Sequence, residues 1–169
     1  MQLDLKFIRD SLKVGFYSVQ DVSITQPTEY NDFRRRMLAD GGKKQRQLGE
    51  IDKFIERIGK NGASPDFFRT EGVADALPPT RFRFFDSDGV KDMGLRNYCI
   101  VPSQDIVILL NGDLKTTQNP RDCPNCGKHF DFANDVAKSF YEALYVDKAI
   151  ELDGKYINIL TDEDFFINI

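Results

Sequence analysis

Three side chains in residues 119–135 can bind a metal or exchange electrons. Cys123 and Cys126 are separated by two residues, and His129 follows as the single histidine of the chain. Two cysteines at this spacing can hold one tetrahedral zinc ion, and the histidine can supply a third ligand. A closed zinc site needs a fourth ligand, and the remaining cysteine, Cys99, lies in a predicted strand. Zinc at Cys123, Cys126 and His129 therefore stays an unfavoured alternative, and we expect no cofactor.

The same two cysteines can also be considered as a redox pair. A thioredoxin-like pair begins at a helix N-terminus directly after a strand. Here Asn119 and Pro120 separate the pair from the preceding strand, and the next predicted helix begins only near Asp131, a good N-cap residue. We therefore favour a loop with reduced cysteines that connects a strand to a helix. An odd number of cysteines fits a reducing compartment, so we expect a cytoplasmic protein.

The composition indicates a folded domain and argues against several classes of protein. The 169 residues are 41% hydrophobic and 30% charged, which is typical of a globular chain. The sequence contains no run of eighteen apolar residues and no signal-peptide pattern at its start. The net charge of −4 counts against a dedicated nucleic-acid-binding protein.

Positive and negative charges are unevenly distributed along the chain. Residues 34–60 hold nine Lys and Arg against four Asp and Glu, whereas residues 147–169 are acidic. Two interpretations stay open: a solvated helical hairpin, or a basic face that binds phosphates and is held in check by the acidic end.

Hydrophobic periodicity predicts the elements that would position these side chains. Strands are expected at 81–85, 95–101 and 105–112, and the apolar run "IVILL" predicts a central strand covered on both faces. We predict one α+β domain, with an N-terminal helical hairpin packed on a curved antiparallel sheet, then a C-terminal helix and a short β tail. Its five segments are an N-terminal strand region (1–25), the helical hairpin (26–61), sheet and loops (62–129), the helix (130–146) and an acidic tail (147–169).

Residues 67–144 resemble the RelE/ParE superfamily of bacterial toxin–antitoxin toxins. The resemblance lies in "LRNYCIVPSQDIVILLNGDLKTTQNP" followed by the helix "DFANDVAKSFYEAL". The family pattern has a strand that opens with Leu-Arg, an apolar strand that ends in a small turn, a basic segment and a helix. The first three of these correspond to Leu95-Arg96, to Ile106–Leu110 with Asn111-Gly112, and to Lys115-Thr116-Thr117. This chain departs from the pattern in its acidic charge, its tail and its cysteine loop.

The resemblance implies a toxin that cleaves mRNA, or inhibits translation, without a metal. Arg96 would bind the scissile phosphate, Lys115 would help to neutralise it, and His129 would exchange a proton. Arg81, Arg83 and Arg121 would bind the substrate. The implied partners are an antitoxin protein and RNA or the ribosome, with no membrane.

Two other functions stay open at this point. The chain could be a non-catalytic protein-interaction module with the same fold. It could also be a small zinc-knuckle protein that binds nucleic acid through the cysteine loop.

Overall fold

The computed structural model describes residues 1–162 and 164–169. Within these residues it contains three α-helices and nine β-strands. The helices are α1 (Glu29–Asp40), α2 (Gly42–Asn61) and α3 (Gly127–Tyr145). The strands are β1 (Gln2–Asp10), β2 (Gly15–Asp21), β3 (Arg69–Glu71), β4 (Ala74–Leu77), β5 (Leu95–Ser103), β6 (Ile106–Leu114), β7 (Ile150–Asp153), β8 (Tyr156–Ile159) and β9 (Ile167–Asn168).

Seven of these strands form one mixed sheet. Their order is β3-β4-β5-β6-β2-β1-β9, and β7 pairs separately with β8. Neighbouring strands run antiparallel except for β2 and β6, which run parallel, with Gly15 opposite Ile106 and Tyr17 opposite Ile108. Since parallel strands cannot be joined by a tight turn, the chain reaches β6 only after it has formed α1, α2 and three further strands.

Helices cover the sheet on both faces. Along β6, Ile106, Ile108 and Leu110 pack into a core with α3, whereas Val107 and Leu109 pack into a core with α1 and α2. All five side chains are at most 1% exposed. This confirms the prediction of a central strand covered on both sides, because β6 is the middle strand of the seven.

The helices α1 and α2 follow from local signals in the sequence. The Thr28 side chain caps α1 by accepting a hydrogen bond from the Asn31 backbone N–H at 3.3 Å. Gly41 separates the two helices with a φ of +63°, a conformation that favours glycine. Leu48, Ile51, Ile55 and Ile58 lie on one face of α2 at helical spacing, and all four are buried.

The predicted fold class is wrong. The chain begins with the hairpin β1–β2, so α1 and α2 lie between strands in chain order and do not form an N-terminal helical hairpin. The sheet is mixed, not antiparallel, because of the parallel pairing of β2 with β6. The physical basis is the alternation of Leu3, Leu5 and Phe7, which makes residues 2–10 a strand paired with β2. The structure is a mixed α/β arrangement.

Two local predictions also differ from the structure. Residues 81–85 form turns and irregular chain, not a strand. The last helix begins at Gly127, before the predicted start at residue 130, so Asp131 lies inside α3 and is not its N-cap. None of the helices in the described residues has the length and apolarity that a membrane-spanning segment requires.

Candidate anion-binding site

A cavity of about 230 Å³, here called the basic cavity, gathers four cationic side chains. Arg69 comes from β3, Arg83 from the segment that joins β4 to β5, Arg96 from β5, and Lys115 from the residue after β6. The cavity is smaller than the roughly 300–1,000 Å³ that is usual for drug-sized ligands, so its size suits a small group such as phosphate.

Backbone carbonyl oxygens hold the guanidinium groups of Arg69 and Arg96 in place. Arg69 donates from Nε to the Pro78 oxygen at 2.7 Å and from Nη2 to the Pro79 oxygen at 3.1 Å. Arg96 donates from Nη1 to the Met93 and Leu95 oxygens, both at 3.0 Å. Carbonyl groups are neutral, so these hydrogen bonds orient the side chains and leave their positive charge uncompensated.

Lys115 is fixed through its backbone. Its N–H donates to the Gly94 oxygen at 3.0 Å, and its carbonyl accepts from the Met93 N–H at 2.8 Å. These bonds continue the contact between the segments before β5 and after β6. The residue is only 7% exposed, and among the described residues its ammonium group has no hydrogen-bond partner. The Arg96 Nε likewise has none within residues 1–162 and 164–169.

The four cations of the basic cavity lack ion pairs, unlike most basic residues of the helical hairpin. Eight of the nine Lys and Arg in residues 34–60 form ion pairs, namely Arg34, Arg35, Arg36, Lys43, Lys44, Arg46, Lys53 and Lys60. No carboxylate of the described chain forms an ion pair with Arg69, Arg83, Arg96 or Lys115. The charge of the helical hairpin is therefore largely paired, whereas in the basic cavity only Glu71 opposes the positive charge, without forming an ion pair.

The pKa shifts in the basic cavity reflect this crowding of positive charge. Burial and, to a lesser extent, the nearby charge of Arg96 together lower the pKa of Arg69 to about 10. Burial also lowers the pKa of Lys115, with Arg96 and Arg69 acting in the same direction and Glu71 opposing them. Burial lowers the pKa of Arg96 as well, and the charge of Glu71 again acts in the opposite direction. A bound anion would relieve this mutual repulsion.

The structure brings together three of the six site residues predicted from the sequence. Arg96, Lys115 and Arg83 line the basic cavity, whereas Arg81 and Arg121 do not. The exposed Arg81 pairs with Asp66 at 3.8 Å. Arg121 pairs with Asp131 at 3.2 Å and lies over the Phe130 ring at 5.7 Å.

His129 occupies a separate, buried position. Its Nε2 lies 3.5 Å from Nη2 of Arg36. The same Nη2 donates to the Gly112 oxygen at 2.6 Å, and Nη1 of Arg36 pairs with Asp113 at 2.8 Å. Burial lowers the pKa of His129 to about 4, and the Arg36 charge adds to the effect. The ring is therefore neutral at pH 7 and does not line the basic cavity.

Sequence reasoning missed Arg69. The residue lies in a three-residue strand that turns at Gly72, where φ is +85°, and the sequence "RTEGVADAL" carries this signal only as a lone glycine between two short runs. No local pattern places such a hairpin beside β5, since that pairing joins Asp75 to Cys99 across the chain.

The cysteine loop lies beside the basic cavity with both thiols reduced and buried. Cys123 Sγ accepts hydrogen bonds from the N–H groups of Thr116 and Cys126, both at 3.4 Å. Burial alone raises the pKa of Cys123, but the hydrogen bonds prevail and bring it to about 7. Among the described residues, no three His, Cys, Asp or Glu side chains gather in a way that could hold a metal ion.

Comparison with known proteins adds no relative. The chain matches no protein-family model, no curated protein and no solved structure.

Proposed function

We propose that this chain is the toxin of a toxin–antitoxin pair that acts on RNA, with the basic cavity as the site that binds an RNA phosphate. The observation that carries the proposal is the convergence of Arg69, Arg83, Arg96 and Lys115 on one small cavity without an ion pair among the described residues. RNA offers a phosphate at every nucleotide, and arginine binds phosphate oxygens with two parallel hydrogen bonds.

The chemistry of such a site is metal-independent cleavage of the RNA backbone. The ribose 2′-hydroxyl gives its proton to neutral Lys115 and attacks the adjacent phosphorus. The bond from phosphorus to the 5′-oxygen breaks, and this oxygen takes up a proton from water, so the products carry a 2′,3′-cyclic phosphate and a 5′-hydroxyl. Negative charge builds on the non-bridging oxygens during the attack, and fixed cations stabilise it because they need no reorientation. Arg96 and Arg69, oriented by backbone carbonyls, fill this role.

Proton transfer is assigned to Lys115 and not to His129. Lys115 lines the basic cavity, and burial lowers its pKa, whereas the arginines of the cavity stay protonated near pH 7. His129 contacts Arg36 outside the cavity. Activity should therefore rise with pH through the range in which Lys115 loses its proton.

The antitoxin is proposed to act by filling the basic cavity with a carboxylate. Four uncompensated cations favour an acidic partner segment, and an Asp or Glu that entered the cavity would exclude the RNA phosphate. A cytoplasmic location, where RNA is available, fits this scheme.

Binding of single-stranded RNA by variants of the cavity tests the proposal. Lys115→Met and Arg69→Gln should each weaken binding about tenfold or more, because a charge-assisted hydrogen bond contributes about 1.5–3 kcal/mol. Each variant should also reduce the slope of log K against log[salt] by about 0.7. Arg81→Gln is the matched control, since Arg81 is exposed and lies outside the cavity.

Cleavage and growth are tested with the same variants. The wild-type chain should produce fragments with 2′,3′-cyclic phosphate ends and arrest growth when its expression is induced, and Lys115→Met should do neither while keeping its circular dichroism spectrum. If the wild-type chain neither binds nor cleaves RNA, or if Arg81→Gln is as impaired as Lys115→Met, the proposal is wrong.

A further inference from the structure

A second cleft adjoins the basic cavity and has the opposite character. It measures about 510 Å³ and is lined by aromatic rings, among them Phe82, Phe84 and Phe85. These rings come from the segment between β4 and β5, which also supplies Arg83 to the basic cavity. This second space is here called the aromatic cleft.

Two rings of the aromatic cleft are packed against the protein, and the third is exposed. Phe82 packs edge-to-face against Phe84 and against Phe54 of α2, with ring centroids 5.1 Å apart in both pairs. Phe84 is only 5% exposed, so these contacts fix the segment against the core. Phe85, by contrast, is fully exposed. An exposed phenylalanine on an anchored segment offers a flat apolar surface for another ring.

Arg83 connects the two spaces. It lines both the aromatic cleft and the basic cavity, and its Nη1 donates to the Thr80 oxygen at 3.0 Å. A ligand that reaches across Arg83 would place an anionic group among the cations and a flat group against the rings. A nucleotide has this shape, because its phosphate and its base are joined by one sugar.

The charges of the aromatic cleft fit a neutral base better than a second phosphate. Asp86 accepts hydrogen bonds from Gln47 Nε2 at 2.9 Å and from Arg46 Nε at 3.2 Å, so the charge of Arg46 is already paired. The Asp86 carboxylate has acceptor capacity left for the amino group of a base, and it would repel a phosphate. The two spaces thus differ in the chemistry they accept.

We propose that the aromatic cleft is a nucleobase subsite, in which a base stacks on Phe85 while its phosphate occupies the basic cavity. This inference rests on the proposed function and deepens it, since it makes the substrate an unpaired nucleotide of single-stranded RNA. A base within a duplex is stacked on both faces and could not reach Phe85.

Titration with ribose 5-phosphate, AMP, adenosine and a six-nucleotide single-stranded RNA tests the inference. The wild-type chain should bind AMP about tenfold more tightly than ribose 5-phosphate, and the RNA more tightly than AMP. Phe85→Ala should reduce AMP affinity to that of ribose 5-phosphate and leave ribose 5-phosphate binding unchanged. Phe85→Leu, which keeps an apolar side chain, should behave like Phe85→Ala, and Phe85→Tyr like the wild type.

Leu12→Ala is the matched control, because Leu12 is also an exposed apolar residue and lies outside both spaces. If Phe85→Ala leaves AMP binding unchanged, or weakens AMP and ribose 5-phosphate equally, the nucleobase subsite is overturned; it is also overturned if the wild type does not prefer AMP.

Loss of ribose 5-phosphate binding in Lys115→Met would then show that the phosphate site still stands. Adenosine binding that depends on Phe85, without any ribose 5-phosphate binding, would support the cleft and refute the phosphate site. AMP that binds more tightly than the RNA would identify a free nucleotide as the ligand and overturn the RNA assignment.

Discussion

Asn134 should be one of the most sensitive positions in the chain, because one amide ties α3 to the β3–β4 turn. Its Oδ1 accepts from the N–H groups of Val73 at 2.6 Å and Ala74 at 3.2 Å. Its Nδ2 donates to the carbonyl oxygens of Glu71 at 3.0 Å and Phe130 at 2.9 Å. The turn is pressed so closely on the amide that a Cβ at Gly72 would lie 2.3 Å from Oδ1.

Asn134→Ala removes all four hydrogen bonds and leaves the Ala74 N–H without this partner in a buried position. With about 1 kcal/mol for each bond, less what water recovers, we expect the free energy of unfolding to fall by about 3 kcal/mol. For a chain of this length the melting temperature should fall by about 6–12 °C. Ribose 5-phosphate affinity should also fall, since β3 carries Arg69 into the basic cavity.

Urea unfolding followed by circular dichroism measures the effect, with Asn158→Ala as the matched control. Asn158 makes one hydrogen bond at the surface, to Glu151 at 3.2 Å, and its replacement should change the free energy of unfolding by less than about 0.5 kcal/mol. A loss below about 1 kcal/mol for Asn134→Ala, or equal losses for the two variants, would refute the reasoning.

Three further predictions concern titratable side chains. The pKa of His129 lies at about 4 in the folded chain and near 6.5 when unfolded, so the unfolded state binds more protons between these values. His129 therefore contributes stability above pH 6.5 that is lost as the pH falls towards 4, about 3 kcal/mol in all, and urea unfolding of His129→Gln should lack this slope. Glu71→Gln should tighten ribose 5-phosphate binding about two- to fivefold, because it removes a negative charge near Lys115, and a partly exposed charge pair contributes roughly this much free energy. Weaker binding of ribose 5-phosphate in calorimetry would contradict this prediction. Brief iodoacetamide treatment near pH 7.5 should label Cys123 before Cys126 or Cys99, whose pKa values are raised by burial; peptide mass spectrometry that found Cys99 first would disprove this order.

Local patterns in the sequence predict the helices well and the sheet only in part. The apolar face of α2 and the strands β5 and β6 were predictable, because their signals lie within a few residues of each other. The predicted N-terminal strand region (1–25) contains β2, whereas β1 was not predicted as a separate strand although its residues alternate. The parallel pairing of β2 with β6 has no local signal, and it is this pairing that makes the predicted fold class wrong.

Tertiary contacts decide the features that local patterns do not. The alternation in residues 81–85 predicts a strand, but the Phe82 ring packs between Phe84 and Phe54 of α2, and the segment lies outside the sheet. The sequence predicts Arg96 and Lys115 at one site, and both side chains line the basic cavity. His129 was predicted for the same site, but it lies beside Arg36 of α1 outside the basic cavity, and its spacing from the cysteines does not reveal this contact.

The parallel pairing of β2 with β6 also has a consequence for synthesis on the ribosome. Gly15 pairs with Ile106, which lies 91 positions later in the chain. At a synthesis rate of about 5–20 residues per second, the ribosome needs roughly 5–18 s to add these residues. During that interval the nascent β1–β2 hairpin lacks the neighbour that later covers one of its edges, and Phe16 and Val19 lack the layers that bury them. Chaperone engagement with the emerging hairpin would therefore be most valuable before the chain passes residue 108.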